Sequence, residues 1–511
     1  MNPEEFREHF TQLNNERFYA RPIFNDELMG NLSELLGKDK YQKFDELIEN
    51  DDIDGLEKFL TDNYNITNKT KNLPFYQKKL SLEFDLRLEY KIESDHPYYL
   101  GFYSDGVPLY LIIEILRIYF KNPKPSHWLT GIINPKIDNK KSSDDSLEIN
   151  GHLMFAASPV LENDVTFHIQ DTTEHVNEED DLTNYFLKHK SEYLNKLNNT
   201  IIDEKIPASV NCIYCYNIGQ GNCIKLNGSN NKKIYFDVGL TRYKAEKNQK
   251  EIKNAIDELE HHFPDIIILS HWDTDHILGL SLWDDNVYTK RWIIPDLHSL
   301  WFKKDNTIER KANRVSSYAF RIFLELIKPE HKNVHIINEE LIQTRILNKE
   351  DNNFCGIEIW TGQRKSSNGI TRANNFGLIM VVKSSAHRTI LCGDCDYEII
   401  PEQLKSSNYD YVIVSHHGSK MGKFPFSPNN NKHPIAIVSY GICNTHGHPN
   451  GSKMTEISKK GYQIITTVGR SKYVFPINCM AFKRSPSVEF FKPNSCDYPI
   501  KNLCSLEKDI H

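Results

Sequence analysis

The chain has 511 residues, a formal net charge of -7 and 26% charged residues, which suits two or three domains and a substantial core. That balance excludes a globally basic protein that coats nucleic acid, while leaving room for a local basic groove. Ten Cys spread along so long a chain fit reduced thiols better than a disulfide framework.

The stretch Met1 to Glu8 is acidic and has no apolar h-region. The longest apolar stretch, Leu109 to Phe120, carries Glu114 and Arg117. No secretory signal and no membrane span are therefore expected, and the expected location is the cytoplasm.

Residues 1–205 are expected to form an α+β accessory domain, and a protein partner would be expected there. Asp26 to Asn63 is charged, with Leu and Phe at helical spacing, and predicts helices. Leu80 to Ile92 alternates apolar with polar residues and predicts a half-buried antiparallel strand. Leu109 to Phe120 predicts a buried helix, and Leu153 to Ile169 further strands. The acidic run Glu174 to Asp181 predicts the solvated start of a helix that continues from Leu182 to Leu197. Asn198 to Pro207 reads as a linker.

From 206 to 475 short apolar strands alternate with helical stretches such as Ala245 to His261 and Asn313 to Ile327. Residues 476–511 read as a polar C-terminal tail. Cys212 and Cys215 fall in a strand-like run, where positions three apart face opposite sides, so they are not expected to share an ion.

The densest chemistry is Ser270-His271-Trp272-Asp273-Thr274-Asp275-His276, directly after Ile266-Ile267-Ile268-Leu269. Asp is almost never fully buried unless paired or metal-bound, so two His and two Asp at a strand end predict a cation site. Other strands have the same design. Ile234-Tyr235-Phe236 ends in Asp237, and Thr389 to Cys392 in Gly393-Asp394. Tyr411 to Ser415 ends in His416-His417-Gly418-Ser419, and Ile435 to Ser439 leads to Asn444-Thr445-His446-Gly447-His448-Pro449. Strands sharing a sheet would gather these ends at one edge.

These motifs, with Asn217 to Asn222 and Asn374-Asn375, resemble the metallo-β-lactamase superfamily. Within it they are similar to the hydrolase domain of competence (DNA-uptake) channels. Their order matches over roughly Pro207 to Phe475. The resemblance implies an α/β fold, an αββα sandwich preceded by the α+β domain. It also implies a metal-dependent hydrolase using two divalent metal ions, zinc or manganese.

By the resemblance, His271 and Asp273 serve the first ion, and Asp275, His276 and either His416 or His417 the second. Asp394 bridges them. Asp275 and His448 are the implied catalytic residues, with Asp237 and Asn444 supporting the site loops. The chain departs from the commoner HxHxDH pattern at Asp273, and from GQGD at Asn222. The usual further ligand His has only His298, His331, His335 and His387 as candidates, none at a strand end.

The substrate expectation is a phosphodiester, foremost DNA. From Lys290 to Lys332 ten basic residues face five acidic ones, with Trp292, Trp301, Phe302 and Tyr318 interleaved. Such a mixture suits single-stranded DNA, and it makes Lys303, Lys304, Arg310 and Lys311 the substrate-binding candidates. A solvated amphipathic helix is the plain alternative. Two other functions stay open: hydrolysis of a small ester, lactone, thioester or cyclic nucleotide, and a partner-binding regulatory protein on the same fold.

Overall fold

A computed structural model describes residues 16–476 apart from interior stretches, the longer of which are 89–99, 136–146, 155–163, 199–205 (most of the expected linker), 241–249, 298–315, 364–375 and 442–447. The first part is a closed antiparallel barrel of β1 (Glu16–Ile23), β2 (Lys79–Leu88), β3 (Leu100–Pro108), β4 (His127–Pro135), β5 (Leu147–Met154) and β6 (Asp164–His175). β1 closes it by pairing with both β2 and β4. The alternation expected from Leu80 puts Leu80, Leu82 and Phe84 in the barrel core. Phe18, Leu129 and Phe167 join them, with apolar faces of the Lys38–Glu49, Ile53–Asn63 and Leu109–Lys121 helices. Glu174, expected at a helix start, is instead part of β6.

The later part has two large sheets. One runs β23 (Lys472–Pro476), β8 (Val210–Tyr216), β9 (Cys223–Gly228), β10 (Lys233–Val238), β11 (Ile266–Ile268), β12 (Arg291–Pro295), β13 (Val334–Ile337), β7 (Leu197–Asn198). The other runs β14 (Arg345–Glu350), β15 (Gly356–Thr361), β16 (Leu378–Lys383), β17 (Arg388–Leu391), β19 (Tyr411–Ile413), β21 (Ile435–Val438), β22 (Gln463–Thr466). A small pair, β18 (Asn408–Tyr409) and β20 (Ser427–Pro428), stands beside it.

Side-chain alternation sorts each strand between two layers. Phe236, Ile268 and Ile293 of the first sheet meet Met380, Leu391 and Ile413 of the second in a shared core. Tyr235, Ile267 and Trp292 face outward onto the Lys250–Glu260 and Ser317–Leu326 helices. Val381, Val412 and Val438 face outward with Leu404 and Ile457 of the helices on the other side. The result is a mixed α/β protein layered helix, sheet, sheet, helix.

The segment before the boundary expected near 205 packs onto the first sheet. The Glu179–Lys196 helix packs Phe186 and Tyr193 into the outer core of the first sheet. Tyr193 Oη donates to Asp296 Oδ2 at 3.0 Å, and Lys196 Nζ to the Leu326 carbonyl at 2.9 Å. Leu197, expected to end the helix, and Asn198, expected to open the linker, then pair in parallel with Ile336 and Ile337. The apolar residues of this helix form two stripes. Phe186 and Tyr193 are buried, whereas Leu187 and Leu194 are 45% and 53% exposed, and local spacing cannot choose between such stripes. The barrel contacts this part through β3, which touches the Ser317–Leu326 helix.

That helix carries a pH-dependent clamp. Burial raises the pKa of Glu325, but hydrogen bonds from His331 and Lys328 outweigh it and hold the carboxyl at about 2. A carboxyl depressed in the folded state stabilises above its unfolded pKa, and that stability is lost as pH falls through the folded value. Glu325→Gln is therefore expected to cost about 1–2 kcal/mol at pH 7, reduced for partial exposure. The gap should narrow between pH 4.5 and about 2. Chemical denaturation of both proteins across that range checks this, and a pH-independent gap would refute it.

Candidate metal centre

The parallel strands of both sheets end at one edge. β10, β11 and β12 deliver Asp237, the Ser270–His276 loop and Asp296. β17, β19 and β21 deliver Asp394, His416-His417 and Ser439. The Leu378 amide donates to the Ser270 carbonyl at 2.8 Å and ties the two edges together.

Asp237 sits in a β-bulge with φ 60, where the register shifts between Phe236 and Val238. A bulge re-aims a side chain, and here it turns a fully buried carboxylate toward the Ser270 loop. Its Oδ1 accepts the Ser270 amide at 2.6 Å. Its Oδ2 accepts the Ser270 hydroxyl at 2.8 Å and lies 2.9 Å from His276 Nδ1. The carboxylate can only accept, so His276 donates from Nδ1. His271 Nδ1 lies 2.8 Å from Ser270 Oγ, whose proton is already committed to Asp237, so His271 also donates from Nδ1. His417 Nδ1 donates to the Ser439 carbonyl at 2.8 Å.

Three imidazoles thus spend their Nδ1 protons on the surrounding frame and point Nε2 lone pairs inward. Carboxylates meet them there. His276 Nε2 is 3.3 Å from Asp394 Oδ1 and 3.9 Å from Asp275 Oδ2. His271 Nε2 is 3.6 Å from Asp273 Oδ2 and 3.9 Å from Asp394 Oδ2. His417 Nε2 is 3.1 Å from Asp275 Oδ2 and 3.8 Å from Asp394 Oδ2. Among the described residues, Nε2 of His271 and His276 and Oδ1 of Asp394 are buried without a hydrogen-bond partner.

Lone pairs facing lone pairs are unfavourable unless a cation or extra protons lie between them. Two triads of this cluster have ligand atoms within 4.8 Å of one another: His271, His276 and Asp394, and Asp275, His276 and His417; a third such group, Glu325, Glu330 and His331, shares no residue with them. His and Asp side chains in this arrangement fit a divalent ion.

The electrostatics agree. Burial acts to lower the pKa of His276, but Asp394, Asp237 and Asp275 push it well above the ordinary imidazole range. His417 is raised by Asp394 and Asp275 in the same way. Burial acts to raise Asp394, yet His276, His416 and His417 hold its carboxyl well below the carboxylate range. Asp275 is likewise lowered by His276 and His417. Protons and metal ions compete for the same lone pairs at such a cluster.

The structure places the other sequence candidates unequally. Asp273 is the N-cap of the Thr274–Ile277 turn but makes no side-chain capping bond, and its carboxylate faces His271 instead. The His pair is strained, with φ 47 at His416 and φ 52 at His417, a region that non-glycine residues rarely adopt. That backbone turns both rings to the site. His417 is buried in a triad, and His416 Nε2 lies 3.9 Å from Asp394 Oδ2. His448 is partly exposed, with its ring 5.5 Å from that of His416 and 6.2 Å from that of His417. Asn444, His446, Asn374, Asn375, His298, Lys303, Lys304, Arg310 and Lys311 lie outside the described residues. His331 bonds Glu325, His387 lies beside Asp410, and neither they nor His335 joins these two triads.

Sequence reading missed Ser270 and Ser439, which set two of the imidazoles. The only signal was position: each ends an apolar strand of the cluster. Gly219 to Gly221 lies in the turn between the antiparallel β8 and β9 and backs the Asp275 loop. A Cβ at Gly221, φ +129, would lie 2.3 Å from the Asp275 carbonyl. One at Gly393, φ +54, would lie 2.6 Å from Ser270 Cβ. Both close approaches demand glycine.

Fold and site together define a layered α/β protein with a buried His/carboxylate cluster suited to a divalent cation. Neither a protein-family model nor a curated protein matches the chain. Among solved structures it is similar to Zn(2+)-bound PqqB from Methylobacterium extorquens, at 10% identity and TM-score 0.29, over 50% of this chain and 87% of that one. It is also similar to a new diphosphatase from the PhnP family, at 11% identity and TM-score 0.27, over 52% of this chain and 98% of that one. Likenesses this distant define no family, and the chemistry rests on the site's own geometry. Among the described residues, no helix is long and apolar enough to cross a membrane.

Proposed function

We propose that this chain is a metal-dependent hydrolase of the metallo-β-lactamase superfamily that cleaves phosphodiesters, DNA foremost, with two divalent ions. The observation that carries the reading is the set of inward Nε2 atoms of His271, His276 and His417, each facing carboxylate oxygens across 3.1–3.9 Å. In this reading His271 and Asp273 hold one ion, Asp275, His276 and His417 the other, and Asp394 lies between them. Imidazole suits zinc, and the carboxylates extend the choice to manganese. Bound ions would supply an acidified water and positive charge at the attacking and leaving oxygens of a displacement. Asp237 keeps the histidines aimed. In this reading the half-exposed His448, its ring 5.5 Å from that of His416, hands a proton to the leaving group.

Support for a nucleic-acid substrate lies in the residues on either side of 298–315, the stretch that carries the four basic candidates. Asp296 and Leu297 lead into it directly after β12. Ser316 closes it, with its hydroxyl 3.4 Å from Thr274 Oγ1 beside the metal loop. Lys303, Lys304, Arg310 and Lys311 lie between Leu297 and Ser316 in the sequence. Single-stranded DNA should bind better than duplex, because stacking needs exposed base faces. Affinity should fall steeply with salt as phosphate contacts release counterions. Neutralising those four residues together is expected to weaken DNA binding while sparing a small generic phosphodiester. Fluorescence anisotropy and turnover measured side by side test this. Unchanged DNA binding would remove the segment from the interface, and cleavage of small substrates alone would reassign the substrate.

A further inference from the structure

We infer that Ser270 is a positioning residue that sets the tautomer of His271 alone, and so governs one half of the metal centre separately from the other. This rests on the dinuclear reading above for its metal consequence, but not for its structural one. Asp237 is the common anchor. It takes His276 Nδ1 directly, at 2.9 Å. It reaches His271 only through Ser270, whose Oγ donates to Asp237 Oδ2 at 2.8 Å and accepts from His271 Nδ1 at 2.8 Å. The same hydroxyl stands 3.5 Å from His276 Nδ1, at the limit of a hydrogen bond and in competition with the shorter bond to Asp237.

The arrangement makes the two histidines separable. In Ser270→Ala the backbone amide still donates to Asp237 Oδ1, a bond of 2.6 Å, so the carboxylate stays in place. His276 keeps its own bond to that carboxylate. Only His271 Nδ1 loses its acceptor, and a neutral imidazole without that partner is free to move its proton to Nε2, the atom that faces Asp273 and Asp394. Close packing of Gly393 against Ser270 leaves little room for a rearrangement that restores the bond. Orienting partners of metal-binding histidines typically affect affinity by about 10–100-fold.

Two measurements on the full chain test this. Histidine-selective 15N NMR of the metal-free protein, at a pH where His271 is neutral, reports its tautomer directly. The wild type should carry the proton on Nδ1, and Ser270→Ala should shift the population toward Nε2 while His276 is unchanged. Zinc titration against a chelating competitor should then show one of two ions weakened by about 10–100-fold in Ser270→Ala. Ser270→Thr, which keeps the hydroxyl, should restore both readouts if its methyl is accommodated, and circular dichroism identifies a variant that does not fold. Nδ1 protonation of His271 persisting in Ser270→Ala would overturn the inference, as would equal weakening of both ions. If wild-type protein takes up no zinc, the dinuclear reading fails, and the NMR result still decides the role of Ser270.

Discussion

Asp394→Asn is expected to abolish hydrolysis, by on the order of 10³-fold or more, and to strip metal from the purified protein while leaving the fold intact. Asp394 faces Nε2 of His271, His276, His416 and His417 at 3.3–3.9 Å, more of the imidazoles than either Asp273 or Asp275 meets. The amide keeps the volume but loses the charge that a shared carboxylate brings to both ions. Asp394 is a carboxyl held low by His276, His416 and His417, so the metal-free variant should lose some stability near neutral pH while circular dichroism still reports the native structure. Metal analysis after purification without chelator, circular dichroism and phosphodiesterase turnover, compared with wild type, decide the point. Near-normal turnover with retained metal would make Asp394 a structural residue.

The second large effect concerns where the metal-binding unit begins. A chain starting at residue 206 lacks the Glu179–Lys196 helix and β7, and is expected to fold poorly or aggregate. A chain starting just before Glu179 should fold and bind metal, and residues 1–176 should bind none. Phe186 and Tyr193 are 0% and 5% exposed, and removing a single buried aromatic ring costs about 3–5 kcal/mol. Total stabilities lie at roughly 5–15 kcal/mol, so losing two such rings with the Tyr193–Asp296 bond approaches the whole margin. Denaturation midpoints and metal content of the three fragments test this. A stable, metal-binding fragment from 206 would show that the helix only decorates the sheet.

The sequence by itself determined the elements and the chemistry at their ends. Strict alternation specified β2, and apolar runs specified β10, β11, β17, β19 and β21, because period and composition are local properties of the chain. The clustering of Asp237, the 271–276 loop, Asp394 and the His pair was legible because parallel strands bring their C-terminal ends to one edge.

Tertiary structure decided everything that depends on a neighbour through space. It selected Phe186 and Tyr193 over Leu187 and Leu194 as the buried stripe, because only the sheet they meet distinguishes two equivalent faces of one helix. It placed His417 in a triad and His416 beside Asp394, through left-handed backbone at both residues that no spacing rule encodes. It aimed three Nε2 atoms inward by giving each Nδ1 an outer acceptor: Asp237, Ser270 and the Ser439 carbonyl. Which nitrogen of an imidazole holds the proton depends on the group facing it, and those groups lie far away along the chain or, like Ser270, take their own orientation from one that does.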